Sequence, residues 1–198
     1  MPYTLTTTGE GLFKDRGSKF LAVATPVSSQ AAAEAQLAAL KQQYHDARHH
    51  CYAFRLGLYG ETSFASDDGE PSHSAGDPIL GVIRSAELTN LLVVVVRYFG
   101  GTKLGVRGLI EAYRQAAELA LADVERVELV PKVVFRLRYT YERTSEVNRL
   151  LHPYVIEEVE ARYEAEVEQT LAIATADFAP LEAQLQATPL DWRVLSRD

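Results

Sequence analysis

The chain has 198 residues, 47% of them hydrophobic, and a formal net charge of −7. That length and composition suit one or two small domains that bury a core without disulfides or metals, while the acidic balance excludes a general polyanion binder, so any nucleic-acid contact needs a local basic patch. A single cysteine, Cys51, excludes an internal disulfide and fits a reducing compartment.

The first ten residues lack a charged-then-apolar signal pattern, and the longest apolar run, 91–96, falls far short of a membrane span. Cytoplasmic placement and no membrane contact are therefore expected. Alternating apolar residues over 19–23, ahead of Thr25 and Pro26, predict one strand of a pair joined by the turn Asp15-Arg16-Gly17. Ser28 and Ser29 are candidate N-caps for a helix with Ala33, Leu37, Leu40 and Tyr44 on one face. Residues 50–58 read as a strand holding Cys51 as a buried thiol, with Gly57 and Gly60 at its end. The turn-rich stretch 66–78, SDDGEPSHSAGDP, reads as a loop. It leads into a helix with Asp77 as N-cap, Pro78 in the first turn, and Ile79, Leu80 and Ile83 on its apolar face. The β-branched run 91–96 predicts a strand covered on both faces. Tyr98-Phe99-Gly100-Gly101 ends it. From about Leu104 a helix follows, with Leu109, Ile110, Tyr113, Ala116, Ala117 and Ala120 in a broad apolar stripe.

Pro131 marks a boundary, dividing the chain into domains over 1–128 and 129–198. The second begins with a strand alternating Val133, Phe135, Leu137 and Tyr139. A helix over 142–151, strands over 154–160 and 163–174, a helix over 179–187 and a strand over 191–195 follow. The order β-α-β-β-α-β is the split, ferredoxin-like arrangement, and the fold class is α+β. On the 163–174 strand, Glu164, Glu166 and Glu168 alternate onto one face, with Glu157, Glu158 and Glu160 nearby. This predicts an acidic, solvated sheet face that does not meet RNA.

Two loops could carry chemistry. Asp67, Asp68 and Glu70 place three carboxylates within four positions, around Gly69 and before Pro71. A divalent metal or an acid/base pair would use them; a solvated turn that caps a helix would contain them as well. No EF-hand pattern is present. The second loop, GGTKLGVRG, spans Gly100, Gly101, Gly105 and Gly108. Its glycines let backbone amides approach a ligand at a helix N-terminus, with Arg97, Lys103 and Arg107 adding charge; glycines needed for close strand-to-helix packing would give the same spacing. Gly76 is a further turn residue. His49 and His50 adjoin a strand start and point to opposite faces. His49 or His73 beside Asp67, Asp68 or Glu70 would give a mixed nitrogen and oxygen site, against a purely hydrogen-bonding role. No nucleophile elbow surrounds Ser66, Ser72 or Ser74, and no catalytic residue is assigned.

The motifs FASDDGEPSHSAGDPIL and VVVVRYFGGTKLGVRGLIEAY, with ARHHCYAFRLG upstream, closely resemble the IMPACT family in its bacterial YigZ-like branch. The resemblance covers about residues 9–121. It implies that the first domain is an α/β sandwich like the second domain of ribosomal protein S-five, followed by a small C-terminal domain of uncharacterised function. Eukaryotic relatives restrain a kinase that phosphorylates a translation initiation factor, by competing for its activator protein. For a bacterial chain only a looser link to translation or nucleic acid carries over. His73 and Ser74 stand where the family usually has glycine and threonine, and Val106 and Arg107 where it has a small residue and glycine. An arginine side chain is thus favoured over a pure backbone nest at 105–108.

The resulting expectation is a binding protein in which His49, Asp67, Asp68 and Glu70 face Arg97, Lys103 and Arg107 across one groove. Its partner would be RNA, a ribosome-associated factor or a protein, without evident DNA specificity. The alternative is a metal-assisted enzyme acting on a phosphorylated small molecule or nucleotide. No resident cofactor is expected, with a divalent metal left open.

Overall fold

The computed structural model describes residues 2–197. The chain divides into two units at Leu129/Val130. The N-terminal unit contains strands β1 (Tyr3–Leu5), β2 (Gly9–Asp15) and β3 (Ser18–Pro26), helix α1 (Gln30–Gln43), and strands β4 (His49–Leu56) and β5 (Thr62–Ser66). Helix α2 (Gly76–Ser85), strand β6 (Leu91–Tyr98), helix α3 (Gly105–Ala122) and strand β7 (Arg126–Glu128) complete it. Five strands form an antiparallel sheet in the order β2-β3-β6-β4-β5, and β1 pairs separately with β7.

The apolar run at 91–96 is the reason for this architecture. It becomes the central strand β6, buried from Leu91 to Arg97. Successive strand residues point to opposite faces. Leu91, Val93 and Val95 therefore pack with Ala22, Ala24, Cys51 and Ala53 beneath α2 and α3. Leu92, Val94 and Val96 pack with Val23, Phe54 and Leu56 against Ala33 and Leu40 of α1. The result is a three-layer sandwich. Ser29 caps α1, its hydroxyl accepting a bond from the Ala32 amide at 3.2 Å. The expected Asp77 cap of α2 is corrected: the helix starts two residues earlier, at Gly76, and the carboxylate that accepts its first amides is Asp67.

The C-terminal unit comprises β8 (Lys132–Tyr139), α4 (Thr144–Leu151), β9 (Ile156–Tyr163), β10 (Val167–Ala174), α5 (Thr175–Gln186) and β11 (Asp191–Arg197). The order β11-β8-β10-β9, antiparallel throughout, is ferredoxin-like. Val133, Phe135, Leu137, Leu171 and Ile173 meet Val147, Phe178, Leu181 and Leu185 in its core. The expected strand over 163–174 is really the end of β9, a turn at 164–166, and β10. Glu164 and Glu166 therefore lie in the turn rather than beside Glu168 on a strand face. The sheet face is also not purely acidic. Glu166 pairs with Arg138 at 2.6 Å, Glu160 with Arg162 at 2.8 Å, Glu168 with Arg136 at 3.6 Å, and Glu157 with Lys132. Among the described residues no helix is long and apolar enough to cross a membrane.

A charged groove at the end of the central strand

Where the apolar run of β6 ends, its alternation continues into Arg97. The side chain falls on the same face as Val93 and Val95, just beyond the apolar layer. His49 pairs with Arg97 in register across β4 and β6 and shares that face. Arg97 is held in an unusual setting. Its side chain is only 8% exposed, and the guanidinium lies 5.5 Å from the Phe20 ring centroid and 5.6 Å from that of Phe99. Its Nη1 donates to Glu70 Oε1 at 2.6 Å, and Glu70 is itself 5% exposed. The same carboxylate oxygen accepts the Tyr113 hydroxyl of α3 at 2.8 Å. Arg97 Nε has no hydrogen-bond partner among the described residues.

Cys51 adjoins this network, with its sulfur 3.3 Å from the Tyr113 hydroxyl and 3.0 Å from the Asp67 carbonyl. Burial pushes its thiol up to about 12 and pushes the Tyr113 phenol up as well. Both are therefore neutral hydrogen-bonding groups at physiological pH, and Cys51 is no nucleophile.

Above this floor opens a groove of about 710 Å³. Asp46, Ala47, Arg48 and His49 line one side, Glu70 and Pro71 another. Arg97, Tyr98 and Phe99, at the end of β6, and Lys103, Leu104, Gly105, Val106 and Leu109, at the start of α3, complete it. Phe99 is 57% exposed, and Arg48 and Lys103 are exposed on the rim. Neither cation makes an ion pair among the described residues. Asp46 is engaged by the Tyr98 hydroxyl at 2.9 Å. The first turn of α3 contains no carboxylate, and no side chain caps it. Gly105 opens that helix with φ +71°, a conformation other residues rarely adopt.

The expected site residues separate. His49, Glu70, Arg97 and Lys103 line the groove. Asp67 does not: its Oδ1 accepts from the Ala75 and Gly76 amides at 3.0 and 2.9 Å, and its Oδ2 from His73 N at 2.8 Å. Asp68 turns the other way, with Oδ1 3.1 Å from Lys41 Nζ and Oδ2 accepting from His50 N at 2.7 Å. The turn between them sets these directions. Asp68 and Gly69 occupy its two central positions with φ of 40° and 88°, closed by the Glu70 amide donating to the Asp67 carbonyl. His73 is exposed and bonded to Asp77 at 2.6 Å, outside the groove, and Arg107 does not line it either. The carboxylates thus diverge, and among the described residues no group of three or more His, Cys, Asp or Glu side chains is placed to hold a metal ion.

Of the loop glycines, Gly100 serves packing: a Cβ there would lie 1.9 Å from the Gly17 carbonyl carbon in the β2–β3 turn. Residue-level reading missed Arg48, Phe99 and Tyr113. Arg48 and Phe99 lie inside motifs already quoted, whereas Tyr113 reads simply as part of the apolar stripe of α3.

Residues 16–121 match the Impact N-terminal domain family. The chain belongs to the IMPACT family. An IMPACT family member from Haemophilus influenzae is 33% identical over 155 residues, covering 77% of this chain and 75% of the relative. A Thermus thermophilus member is 41% identical over 145 residues, covering 73% and 77% respectively. The Escherichia coli member YigZ is 30% identical over 170 residues, covering 85% and 83%. A crystal structure of a hypothetical protein, 26% identical, matches with a TM-score of 0.77 over 99% of this chain and 98% of its own. The IMPACT match contains every lining residue of the groove, and Arg48-His49, Glu70-Pro71, Arg97–Phe99 and Lys103–Gly105 lie within the three motifs that carried the resemblance.

Proposed function

We propose that this IMPACT protein is a translation-linked binding protein that engages a single strand of RNA through the groove at the end of β6. The observation that carries the reading is Phe99, a largely exposed aromatic ring set against the Arg97 guanidinium and flanked by the free cations Arg48 and Lys103. Single-stranded RNA is bound by such combinations, a stacking face for a base and charges for the backbone. A local patch of this kind is what a chain with net charge −7 requires. The volume, about 710 Å³, suits a short segment of strand rather than a duplex. The link to translation rests on family membership, through what the IMPACT resemblance implies for eukaryotic relatives.

The test is fluorescence anisotropy with a labelled single-stranded oligoribonucleotide. Phe99→Ala weakens binding about tenfold, the loss of one base stack. Arg48→Ala and Lys103→Ala each lower the salt slope by about one. Affinity unchanged in all three variants would sink the reading, and capture of a protein without any RNA binding would assign the groove to a protein partner instead.

A further inference from the structure

We infer that the inner end of the groove is a subsite for a phosphate monoester, the terminal phosphate of a strand rather than an internal phosphodiester; the inference rests on the RNA reading above. Two independent features line the groove. One is the N-terminus of α3, an 18-residue helix whose opening residues Gly105 and Val106 line the groove. The first amides of a helix have no partner within it. Among the described residues no side chain caps them, and no first-turn carboxylate neutralises the positive end of the helix dipole. The other is Arg97, more than nine-tenths buried, lining the same groove, with Nη1 committed to Glu70 and Nε without a partner. A buried guanidinium with one unfilled donor is a costly feature unless a ligand lets it be completed. Lys103 stands at the same helix end.

The charge count decides which phosphate. Arg97 is offset by Glu70, so the cations left for a ligand are Lys103 and Arg48 on the rim. That is a focus, not a track: among the described residues Arg48, Arg97 and Lys103 are the only lysines or arginines that line the groove, and Arg107 lies outside it. A monoester carries about −1.5 to −2 charges near neutral pH and three free oxygens. It can take helix amides, a guanidinium edge and an ammonium together. A diester offers one charge and two free oxygens, with sugars on both sides that must also enter. A floor residue as deep as Arg97 is reached more readily by a chain end.

The experiment compares one short single-stranded oligoribonucleotide in three forms, 5′-phosphorylated, 3′-phosphorylated and with both ends hydroxylated, against the full chain. One phosphorylated form is expected to bind about tenfold tighter than the hydroxylated one, the scale of one charge-assisted contact set. The preferred form identifies the end. The preference declines as pH falls through about 6, where the monoester loses its second charge. Lys103→Ala, an exposed substitution, narrows the ratio without touching the core. The double variant Glu70→Gln with Arg97→Gln, its fold checked by circular dichroism, abolishes it. Equal affinity for all three forms, with Phe99→Ala still weakening each, overturns the subsite and leaves the RNA reading standing. No binding of any form overturns both.

Discussion

Glu70→Ala lowers the stability of the N-terminal unit by about 3–5 kcal/mol, the cost of stranding one partner of a buried ion pair. The side chains of Glu70 and Arg97 are 5% and 8% exposed, so solvent screening gives little relief. Without Glu70 the guanidinium stays between Phe20 and Phe99 with no counter-charge, and the Tyr113 hydroxyl loses its acceptor. Glu70→Gln keeps an acceptor for both donors and costs less. Replacing both partners together, Glu70→Leu with Arg97→Met, recovers most of the loss, because the penalty belongs to the unpaired charge rather than to the missing bond. Trp192, the single tryptophan, lies in the C-terminal unit, so its fluorescence does not report on this site. Hydrogen exchange of the Val93 and Val95 amides in β6 does. A loss below about 1 kcal/mol would show the pair to be no stronger than a surface salt bridge.

The sandwich was legible wherever burial imposed a period. Residues 91–96 could only be a strand covered on both faces, and the alternation Val133-Phe135-Leu137-Tyr139 named the core face of β8. The ferredoxin-like order followed from element sequence alone. What escaped notice lacked such a period. Strand β5 has no buried residue to mark one face, and β1 and β7 have three residues each. The turn at 164–166 was hidden for the opposite reason. Tyr163, Ala165 and Val167 keep the strand alternation through a turn that has no Gly, Pro or Asn to announce it. The helix expected over 179–187 begins earlier, at Thr175, and Pro180 lies inside it.

The candidate site was legible as a density of unusual residues, not as an arrangement. Asp67, Asp68 and Glu70 look equivalent in sequence, yet they serve three different places. Asp67 caps α2, Asp68 ties Lys41 and the His50 amide, and Glu70 enters the core. Their directions depend on the positive φ angles at Asp68 and Gly69. The partners of Glu70 lie 27 and 43 residues away. No local pattern encodes such distances. Arg97, in contrast, was readable in principle, since a charge continuing the buried parity of β6 requires a buried partner.

Asp67→Ala costs about 2 kcal/mol at neutral pH, and the cost depends on pH. The carboxylate accepts three backbone amides, His73, Ala75 and Gly76, which join the acidic loop to the start of α2. Burial pushes its carboxyl up, but the bonds from Gly76, His73 and Ala75 outweigh that and hold it below the ordinary value of 3.8. A depressed folded-state value means that the unfolded chain takes up a proton first as pH falls. The stability Asp67 contributes is therefore complete above the unfolded value, begins to decline near it, and is gone once pH has passed through the lower folded value. Asp67→Asn retains an oxygen for the Ala75 and Gly76 amides but turns a donor toward His73 N, giving an intermediate loss with a flatter pH profile. Hydrogen exchange at the α2 amides, in wild type and both variants from neutral pH down to about 3, reads the effect directly. The gap between wild type and Asp67→Ala should narrow across that range. A gap that stays constant with pH would mean that the cap acts through shape alone and that the charge on Asp67 contributes nothing.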